Sequence, residues 1–542
     1  MVAGDILSAL KTFIGDRKGN FAILASLVSV PLLLAVGLSV DYVNILRVKS
    51  ELQQSIDSAA LAVAREGDGI TQAQATAIAA NFMRENFQLP HSAPRVTISG
   101  VDVAVHATAV VPINFGGLFG VPTVTIGSDA STTIAYANYE IALALDTTGS
   151  MAGGKLAALK DAVVGLVDTM EAQNPRAGSL KFSVVPFSSK VNVGAQFGPA
   201  YDASGAVTRQ PADWLDARAQ SPIAQNDLDP GVSRFVMMKQ LRTTWEGCVE
   251  ARHSTAGNPY DVNDAPPNAA DPATLFVPAF ASDEPDNGPY PNSFISDGSY
   301  PIGSGAPNQR MSRYGASYTP VFKTLSFSGQ VSDSAAWLPV STDYSNQTFY
   351  GGYPVPKGPN FGCDVQPLLP LTNNFDAVRT KVNSLQALGS TNILEGAVWG
   401  WKTLSSRPPF TEGRPESGIG LRKILVLLTD GTNNLGPISN ALGSSHSSYG
   451  YLVDGRLGMT SGSVAAVTNA MNAKTLAACA NAKADKIEIY TIRLEEPNVT
   501  TGNMLRDCAT DADHYIDVPN RALLDEAFEK IKEKIALVRL SS

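Results

Sequence analysis

A strongly apolar stretch without charge lies near the N-terminus of the chain. Residues 20–40 contain no charged side chain, and a helix needs about 20 mostly apolar residues to cross a bilayer. Pro31 lies within this stretch, and membrane helices tolerate proline better than soluble helices do. The pattern predicts a transmembrane helix over residues 20–42 behind a short N-terminal tail at 1–19. A buried helix of a soluble domain is the alternative, which the length disfavours.

An amphipathic pattern follows the apolar stretch. Apolar residues recur at helical spacing from Ile45 to Val63, which predicts that the first helix continues until the glycine-rich residues 67–69 interrupt it. A second amphipathic helix is predicted over about 71–87. Residues 43–137 are therefore predicted to form a helical stalk with a small α+β region, whose sheet comes from two alternating, β-branched segments at 95–115 and 121–137.

From residue 138 to 542, apolar strands alternate with helices. Such alternation indicates a mostly parallel, doubly wound sheet with helices on both faces. The predicted strands lie at 139–146, 180–189, 423–430, 487–494 and 514–518, and the predicted helices at 155–170, 375–388, 393–404, 468–485 and 522–540.

A large irregular insertion interrupts this domain at about residues 196–362. It is rich in Pro, Gly, Asn and Asp but also in aromatic residues, and disordered segments are usually poor in aromatics, so a folded insertion is predicted. We expect these aromatics to fill a small core, with binding of carbohydrate or protein as the alternative. They include Trp214, Trp245, Tyr290, Tyr318, Trp337, Phe349 and Tyr353.

Two further loop segments carry open alternatives. The acidic residues Asp283, Glu284 and Asp286 are expected in a solvated loop, since their spacing lacks the full calcium-loop pattern, and a Ca²⁺ site is the alternative. A second insertion follows Asp430, at residues 431–464. It could form a rim that shapes the choice of partner or be a flexible surface loop.

Composition and charge restrict the class of protein. A chain of 542 residues is too long for one core, so two or three domains are expected. The formal net charge is −9, and no basic stripe of the kind that neutralises phosphates is present. Nucleic acid is therefore not an expected partner.

The cysteines decide the expected orientation of the membrane helix. Lysines and arginines flank the apolar stretch on both sides and favour a cytoplasmic N-terminus only slightly. All four cysteines follow the stretch, and an even number is typical of disulfides in an exported domain. Zinc is disfavoured because the cysteines lack the close spacing of zinc sites. Of the three pairings, we favour Cys248–Cys363 with Cys479–Cys508, the second expected to join a helix to the turn before the last strand.

Hard oxygen groups follow two of the apolar strands. Asp146, Thr148 and Ser150 alternate at the end of the first strand, and Asp430 ends a later one. Thr391 lies between them on a turn that precedes a helix. The carboxyl ends of parallel strands meet at one edge of a sheet, and such oxygens suit Mg²⁺. A polar turn that caps the following helix is the alternative interpretation of residues 146–150.

These five residues resemble the metal-ion-dependent adhesion site of a von Willebrand factor A domain. That family's pattern is Asp-x-Ser-x-Ser, a later Thr and a later Asp-Gly; here it reads Asp146-x-Thr148-x-Ser150, Thr391 and Asp430-Gly431. The resemblance implies a divalent cation, Mg²⁺ first with Ca²⁺ or Mn²⁺ as alternatives. It also implies that a partner's Asp or Glu completes the coordination. Thr148 replaces the usual serine, which keeps the hydroxyl but puts the affinity in question.

The N-terminal part resembles the TadE/TadG-like proteins of tight-adherence (Flp) pilus systems. The resemblance is carried by the segment RKGNFAILASLVSVPLLLAVGLSVDYVNILRVKSELQQSIDSAALAVA and by the layout of a helical stalk with a small sheet, as in pilins. It extends through WEGCVEAR, LLPLT and the C-terminal strands and helices to much of the remaining chain. Prepilin substrates commonly carry a glutamate five residues after the cleavage point, but Leu24 holds that place after Gly19. An uncleaved anchor is therefore expected.

Enzymatic activity is not expected. None of the five histidines lies in a recognisable catalytic motif, and no glycine-rich phosphate loop is present. The leading hypothesis is a bacterial inner-membrane, single-pass pilus-assembly or adhesion protein with the bulk of the chain periplasmic or extracellular. Its expected partners are pilus-assembly or pilin-like subunits, or a surface ligand that offers Asp or Glu. The alternative is a structural minor-pilin-like subunit whose metal serves stability only.

Overall fold

The structure is a computed structural model, and its two compact units are residues 1–137 with 539–542, and residues 138–538. The residues that it describes are 20–66, 70–99, 102–133, 138–173, 178–203, 205–223, 233–241, 243–284, 292, 294, 346–349, 353–356, 358–415, 420–435 and 442–537. The predicted tail at 1–19, with Gly19, lies outside the described residues, as do Tyr290, Tyr318 and Trp337.

The first unit begins with one long helix, α1 (Asn20–Arg65), of 46 residues with Pro31 inside it. This confirms the prediction that the apolar helix continues into the stalk. Between Leu27 and Leu46 most of its large apolar side chains are exposed, and by length and composition the helix is a candidate membrane span. From Val48 onward one face is buried, through Leu52, Ile56 and Val63.

That buried face packs against a second helix and a small sheet. Helix α2 (Gln72–Asn86) begins at a capping box, in which the Thr71 hydroxyl and the Gln74 side chain each accept a hydrogen bond from the other's backbone N–H. Strands β1 (Arg95–Ser99), β2 (Asp102–Pro112) and β3 (Thr123–Thr133) form an antiparallel sheet in the order β1-β2-β3. Alternate residues of β2, such as Val103 and Val105, are buried, as the alternating pattern predicts.

The second unit contains a six-stranded sheet. When its six strands are numbered one to six in the order in which they occur in the chain, their order across the sheet is 3-2-1-4-5-6. This is the strand order of a doubly wound fold. Neighbours pair in parallel except at the edge formed by the third strand, which is antiparallel. The predicted doubly wound, mostly parallel sheet is thus confirmed. Its strands are β4 (Asn138–Asp146), β5 (Leu180–Phe187), β12 (Leu369–Thr372), β13 (Leu421–Thr429), β14 (Ile487–Leu494) and β15 (Tyr515–Val518).

Helices cover both faces of this sheet. One face is covered by α6 (Ile393–Leu404), α7 (Val464–Ala484) and α8 (Val499–Cys508), and the other by α3 (Gly154–Gln173), α5 (Phe375–Asn383) and α9 (Leu524–Leu537). Ala142 and Ala144 of β4 belong to a core cluster with α6, α7 and α8, and α6 is buried along its whole length. The alternate residues of β4, Ile141, Leu143 and Leu145, are also fully buried and point to the opposite face. There α3 contacts α5 and α9.

The large insertion contains only short elements among its described residues. They include α4 (Arg234–Gln240) and the strands β7 (Ala200–Tyr201), β8 (Val207–Arg209), β9 (Cys248–Val249), β10 (Asn346–Phe349) and β11 (Tyr353–Pro356). Strand β6 (Val191–Asn192), which pairs with β9, lies directly before the insertion.

Aromatic residues of the insertion pack into the core of the domain. The Trp214 ring lies 5.2 Å from Phe197 and 5.8 Å from Phe276, and Phe276 lies 5.0 Å from Trp399 of α6. Trp245 packs edge-on against Phe235 of α4. Trp214 and Trp245 thus pack within a core, as the sequence analysis favours.

Two disulfides are present, and they are the two expected pairs. Cys248–Cys363 joins β9 to the end of the insertion. Cys479–Cys508 joins α7 to the last residue of α8. Cys508 therefore lies in a helix and not in a turn, because the segment 499–508 forms a helix that the sequence analysis did not predict.

The expectation of a solvated acidic loop is wrong for its described part. Asp283 and Glu284 are 1% exposed. Asp283 accepts a hydrogen bond from the Phe294 backbone N–H, and Glu284 accepts from the Asn292 N–H and the Tyr451 hydroxyl. Asp286 lies outside the described residues.

Residues 442–457 of the second insertion are mostly buried. His446, Ser448, Tyr449 and Leu452 are all at most 2% exposed. The Ser448 backbone N–H donates to the carbonyl of Ser189, after β5. This part is packed in the interior of the domain, whereas residues 460–463 are exposed. For the exposed part, the rim and the flexible loop both stay predictions.

Candidate functional site

Two carboxylates lie at the point in the sheet where the order of the strands reverses. Asp146 is the last residue of β4 and Asp430 directly follows β13, its parallel neighbour. From β4 the chain continues to β5 on one side, and from β13 to β14 on the other. Ligands of doubly wound sheets bind at the carboxyl edge at such a switch point. The fold therefore places Asp146 and Asp430 together at a ligand-binding position.

Asp146 is fully buried, and both of its carboxylate oxygens accept hydrogen bonds. Oδ1 accepts a hydrogen bond from the Thr148 backbone N–H at 2.8 Å, and Oδ2 accepts from the Thr429 hydroxyl at 2.6 Å. Burial, followed by the negative charge of Asp430, raises the pKa of Asp146 to about 7. A cation beside these two carboxylates would reverse that effect. Thr429 was not predicted, although it precedes Asp430 directly.

A chain of hydroxyls links the first motif to Asp430. The hydroxyls of Thr148 and Ser150 lie 3.0 Å apart, and the Ser150 hydroxyl donates to Asp430 Oδ1 at 2.6 Å. Ser150 lies in a short 3-10 turn and is exposed. The turn is fixed by the Gly149 backbone N–H, which donates to the Gly389 carbonyl at 3.0 Å. Ser150 therefore connects the buried carboxylate to solvent.

Thr391 reaches the same place from the turn before α6. Its carbonyl accepts a hydrogen bond from the Asn434 N–H at 2.8 Å. A Cβ added to Gly431 would lie 3.0 Å from the Thr391 hydroxyl oxygen and 3.7 Å from that of Ser150. Both hydroxyls therefore face Gly431, and only glycine leaves this space open. The structure thus brings together all five residues that the sequence analysis singled out.

Lys155 belongs to the site and was not predicted. It lies in the first turn of α3, and its ammonium group donates to Asp430 Oδ2 at 2.6 Å. Its side chain is 19% exposed, whereas that of Asp430 is fully buried. A lysine at the start of a helix ordinarily extends into solvent, so the sequence offers no signal for this contact.

The donor set fits a hard divalent cation. Among the described residues no group of three or more His, Cys, Asp or Glu side chains is arranged to hold a metal. A metal at the carboxyl edge would therefore depend on hydroxyls as well as on Asp146 and Asp430. Carboxylate and hydroxyl oxygens are ligands that Mg²⁺, Ca²⁺ and Mn²⁺ accept.

Comparison with known families matches the N-terminal segment. Residues 19–66 match the family described as putative Flp pilus-assembly TadE/G-like. No curated protein sequence matches the chain.

Comparison with solved structures finds several pilus proteins, each with a low sequence identity and a low TM-score. The pilus adhesin SpaC from Lactobacillus rhamnosus GG is 10% identical with a TM-score of 0.30, covering 82% of this chain and 34% of SpaC. The vWF domain of the type V pili tip protein Mfa5 from Porphyromonas gingivalis is 8% identical with a TM-score of 0.32, covering 75% and 98%. A mutant of the PilB minor pilin from Streptococcus sanguinis is 10% identical with a TM-score of 0.32, covering 84% and 81%. This chain thus spans about a third of the length of SpaC.

Proposed function

We propose that this chain, which carries the N-terminal segment of the TadE/G-like Flp pilus-assembly family, is a membrane-anchored pilus-assembly or adhesion protein that binds a protein partner through a divalent cation. One observation carries the proposal. Two buried carboxylates, Asp146 and Asp430, converge with three hydroxyls at the switch point of the sheet, and one of these hydroxyls, on Ser150, is exposed. Mg²⁺ is the proposed ion.

Each residue has a distinct part in this proposal. Ser150 is the exposed member of the cluster and donates to the buried Asp430, so we assign these two residues to contact with the cation. Asp146 supplies negative charge from the interior, and the N–H of Thr148 and the hydroxyl of Thr429 fix its orientation. When bound, the cation would link the domain electrostatically to an acidic side chain of the partner.

We also propose an orientation of the chain in the membrane. We place the second unit on the periplasmic or extracellular side of the bacterial inner membrane, since its two disulfides suit an oxidising compartment.

We also propose that the chain is not an enzyme. Metal-dependent turnover of a substrate by the wild-type protein that is lost in Asp430→Asn would contradict this.

Metal binding can be tested without knowledge of the partner. The full chain in lipid nanodiscs would be titrated with Mg²⁺ by calorimetry and with Mn²⁺ by electron paramagnetic resonance. We expect Asp430→Asn to abolish binding and Ser150→Ala to weaken it. Asp376→Asn, which changes an exposed carboxylate of α5, is the matched control. Binding by Asp430→Asn equal to that of wild type would refute the metal site.

Partner binding requires a second experiment. Crosslinking in intact cells, followed by identification of the crosslinked proteins, would compare wild type with Asp146→Ala, each with and without EDTA. We expect one partner to disappear under EDTA and in the variant. A partner set that both treatments leave unchanged would contradict metal-mediated docking.

A structural role for the metal is the second candidate. It is favoured by the burial of Asp146 and Asp430, whose oxygens are hydrogen-bonded to groups of the domain itself. In that case EDTA would lower the melting temperature while the crosslinked partners remain the same.

A further inference from the structure

An exposed apolar loop lies beside the membrane-spanning part of α1. The loop joins β2 to β3 and contains a short 3-10 turn at Gly116–Phe119. Its large side chains are turned to solvent: Leu118 is 71% exposed, Phe119 58% and Val121 48%, and Phe115 beside them is 38% exposed. Apolar side chains grouped in this way mark an interaction surface. We call Phe115, Leu118, Phe119 and Val121 the apolar foot.

The carboxylate of Asp41 fixes the foot to the helix. Asp41 Oδ1 accepts a hydrogen bond from the Asn114 N–H at 3.0 Å, and Oδ2 accepts from the N–H groups of Phe115 and Gly116 at 2.8 and 2.9 Å. Asp41 is 4% exposed, although it is the first charged residue after the apolar stretch. The loop is therefore held in place by the residue that directly follows the uncharged residues 20–40.

Gly37, one turn earlier, lets the loop approach closely. A Cβ at this position would lie 2.5 Å from the ring of Phe115, so any larger residue would displace the ring. Asp41 and Gly37 together hold the loop against one short section of α1.

The direction of the hairpin is set farther along the helix. The Gln53 side-chain amide donates to the Asp129 carbonyl at 2.9 Å, and the Ser128 hydroxyl donates to the Gln53 side-chain oxygen. From Gln53 back to Asp41 the helix spans about 18 Å at 1.5 Å per residue. The β2–β3 hairpin therefore runs along α1 with its tip toward the apolar end of the helix.

Toward its tip, the β2–β3 hairpin contains no charged residues. His106 and Asp129 form a cross-strand pair, with 2.7 Å between Nδ1 and Oδ1. Between them, residues 107–128 contain no ionisable side chain. A polar end and an uncharged apolar tip are what a segment at a water–lipid boundary requires.

We propose that the apolar foot inserts into the interfacial region of the same bilayer that α1 crosses, as a second membrane contact. The inference rests on the membrane anchoring in the proposed function. Residues 20–40 match the thickness of a hydrocarbon core of about 30 Å, which places Gly37 and Asp41 at its outer boundary. Apolar groups of interfacial segments are buried about 5–10 Å into this boundary. The foot thereby fixes the height and rotation of the first unit relative to the lipid surface.

The three N–H groups around Asp41 suit this location. A carboxylate near lipid is costly unless its oxygens are hydrogen-bonded, and both oxygens of Asp41 have backbone donors. The same bonds satisfy N–H groups of the loop, which water could not reach once the foot is inserted.

Site-directed spin labelling tests the proposal directly. The four native cysteines are paired, so an introduced cysteine is the sole labelling site. Full-length Phe119→Cys would be reconstituted into phosphatidylethanolamine–phosphatidylglycerol vesicles, and collision of the nitroxide with oxygen would be compared with collision with a water-soluble nickel chelate. Leu33→Cys, within the apolar stretch, and Leu61→Cys, exposed farther along α1, are the controls.

The outcomes distinguish insertion of the apolar foot into lipid from membrane anchoring by α1. The proposal expects the Phe119 label to favour oxygen over nickel, as the Leu33 label does, while the Leu61 label favours nickel. Nickel access at Phe119 equal to that at Leu61, with Leu33 still protected, overturns the foot and leaves the anchor intact. Nickel access at Leu33 overturns both. Protection of Phe119 from both reagents would indicate a protein neighbour, such as a second copy, and also overturns insertion into lipid.

Discussion

The ammonium group of Lys155 lies 2.6 Å from Asp430 Oδ2, inside the cluster proposed to hold a divalent cation. The site therefore carries a cation of its own, which neutralises Asp430 and repels a second positive charge. Metal binding and the Lys155–Asp430 pair compete for the same carboxylate.

Lys155→Met should bind Mg²⁺ more tightly than wild type. An ion pair at a partly exposed site contributes about 1 kcal/mol, so its removal predicts an affinity gain of roughly five-fold, measured by calorimetry on the full chain in nanodiscs. Lys160→Met is the matched control, because Lys160 lies on the same helix and donates to the Asn383 carbonyl instead. Weaker binding by Lys155→Met would show that the lysine assists the metal.

Gly431→Ala should weaken metal binding with little loss of stability. The new methyl would lie 3.0 Å from the Thr391 hydroxyl oxygen, in the space between the hydroxyls. We expect an affinity loss of roughly ten-fold, equivalent to about 1.4 kcal/mol. Gly149→Ala is the control, since its Cβ would meet only the Gly389 carbonyl at 3.7 Å. Equal affinities of the two variants would argue against a role for this space.

The sequence predicts the site because two apolar strands end in aspartates. Parallel strands bring such ends to one edge, so Asp146 and Asp430 can be paired although they are distant in the chain. Lys155 could not be assigned in this way, because its contact depends on how α3 lies over the edge of the sheet.

Other features depend on partners that a sequence pattern does not reveal. Helix α8 has few apolar residues, with Met504 and Leu505 buried, and so gives no clear periodicity. Glu284 resembles a solvated residue in the sequence, but Tyr451, far away in the chain, donates to it in the interior.

Removal of either disulfide should destabilise the second unit. The chain-entropy model predicts a loss of about 5 kcal/mol for Cys248–Cys363, which are 115 residues apart, and about 3–4 kcal/mol for Cys479–Cys508, which are 29 apart. Denaturant unfolding of the paired Cys→Ala variants would measure both losses. A larger loss for the shorter loop would show that local strain or packing outweighs chain entropy.

The pair of Glu488 and His514 should make stability depend on pH. Burial alone would raise the pKa of Glu488, but the hydrogen bond from His514 and the charge and hydrogen bonds of Arg422 lower it to about 2. Burial would lower the pKa of His514, but Glu488 and Asp511 raise it above its usual 6.5. The stabilisation from Glu488 is present above about pH 4.5 and is lost as the pH falls toward 2. That from His514 is present below 6.5 and is lost as the pH rises through its folded pKa.

Glu488→Gln should therefore cost most stability between about pH 5 and 6. The lowered pKa of Glu488 corresponds to about 3 kcal/mol, and the variant should also show a flatter loss of stability in acid. Urea unfolding at several pH values would measure this. Glu526→Gln, at an exposed position of α9, is the control. A parallel pH profile for Glu488→Gln and wild type would contradict the assignment.

Asp41→Ala should release the apolar foot from α1. The substitution removes the acceptor for three backbone N–H groups, and each charge-assisted bond of this kind contributes about 1.5–3 kcal/mol. The nitroxide at Phe119→Cys should therefore become more mobile, with a sharper resonance line and greater access to the nickel chelate. Glu51→Ala is the control, because Glu51 is exposed on the same helix and forms an ion pair with Arg47 of α1. An unchanged line shape at Phe119 in Asp41→Ala would mean that the lipid, or packing against Gly37, holds the loop without the carboxylate.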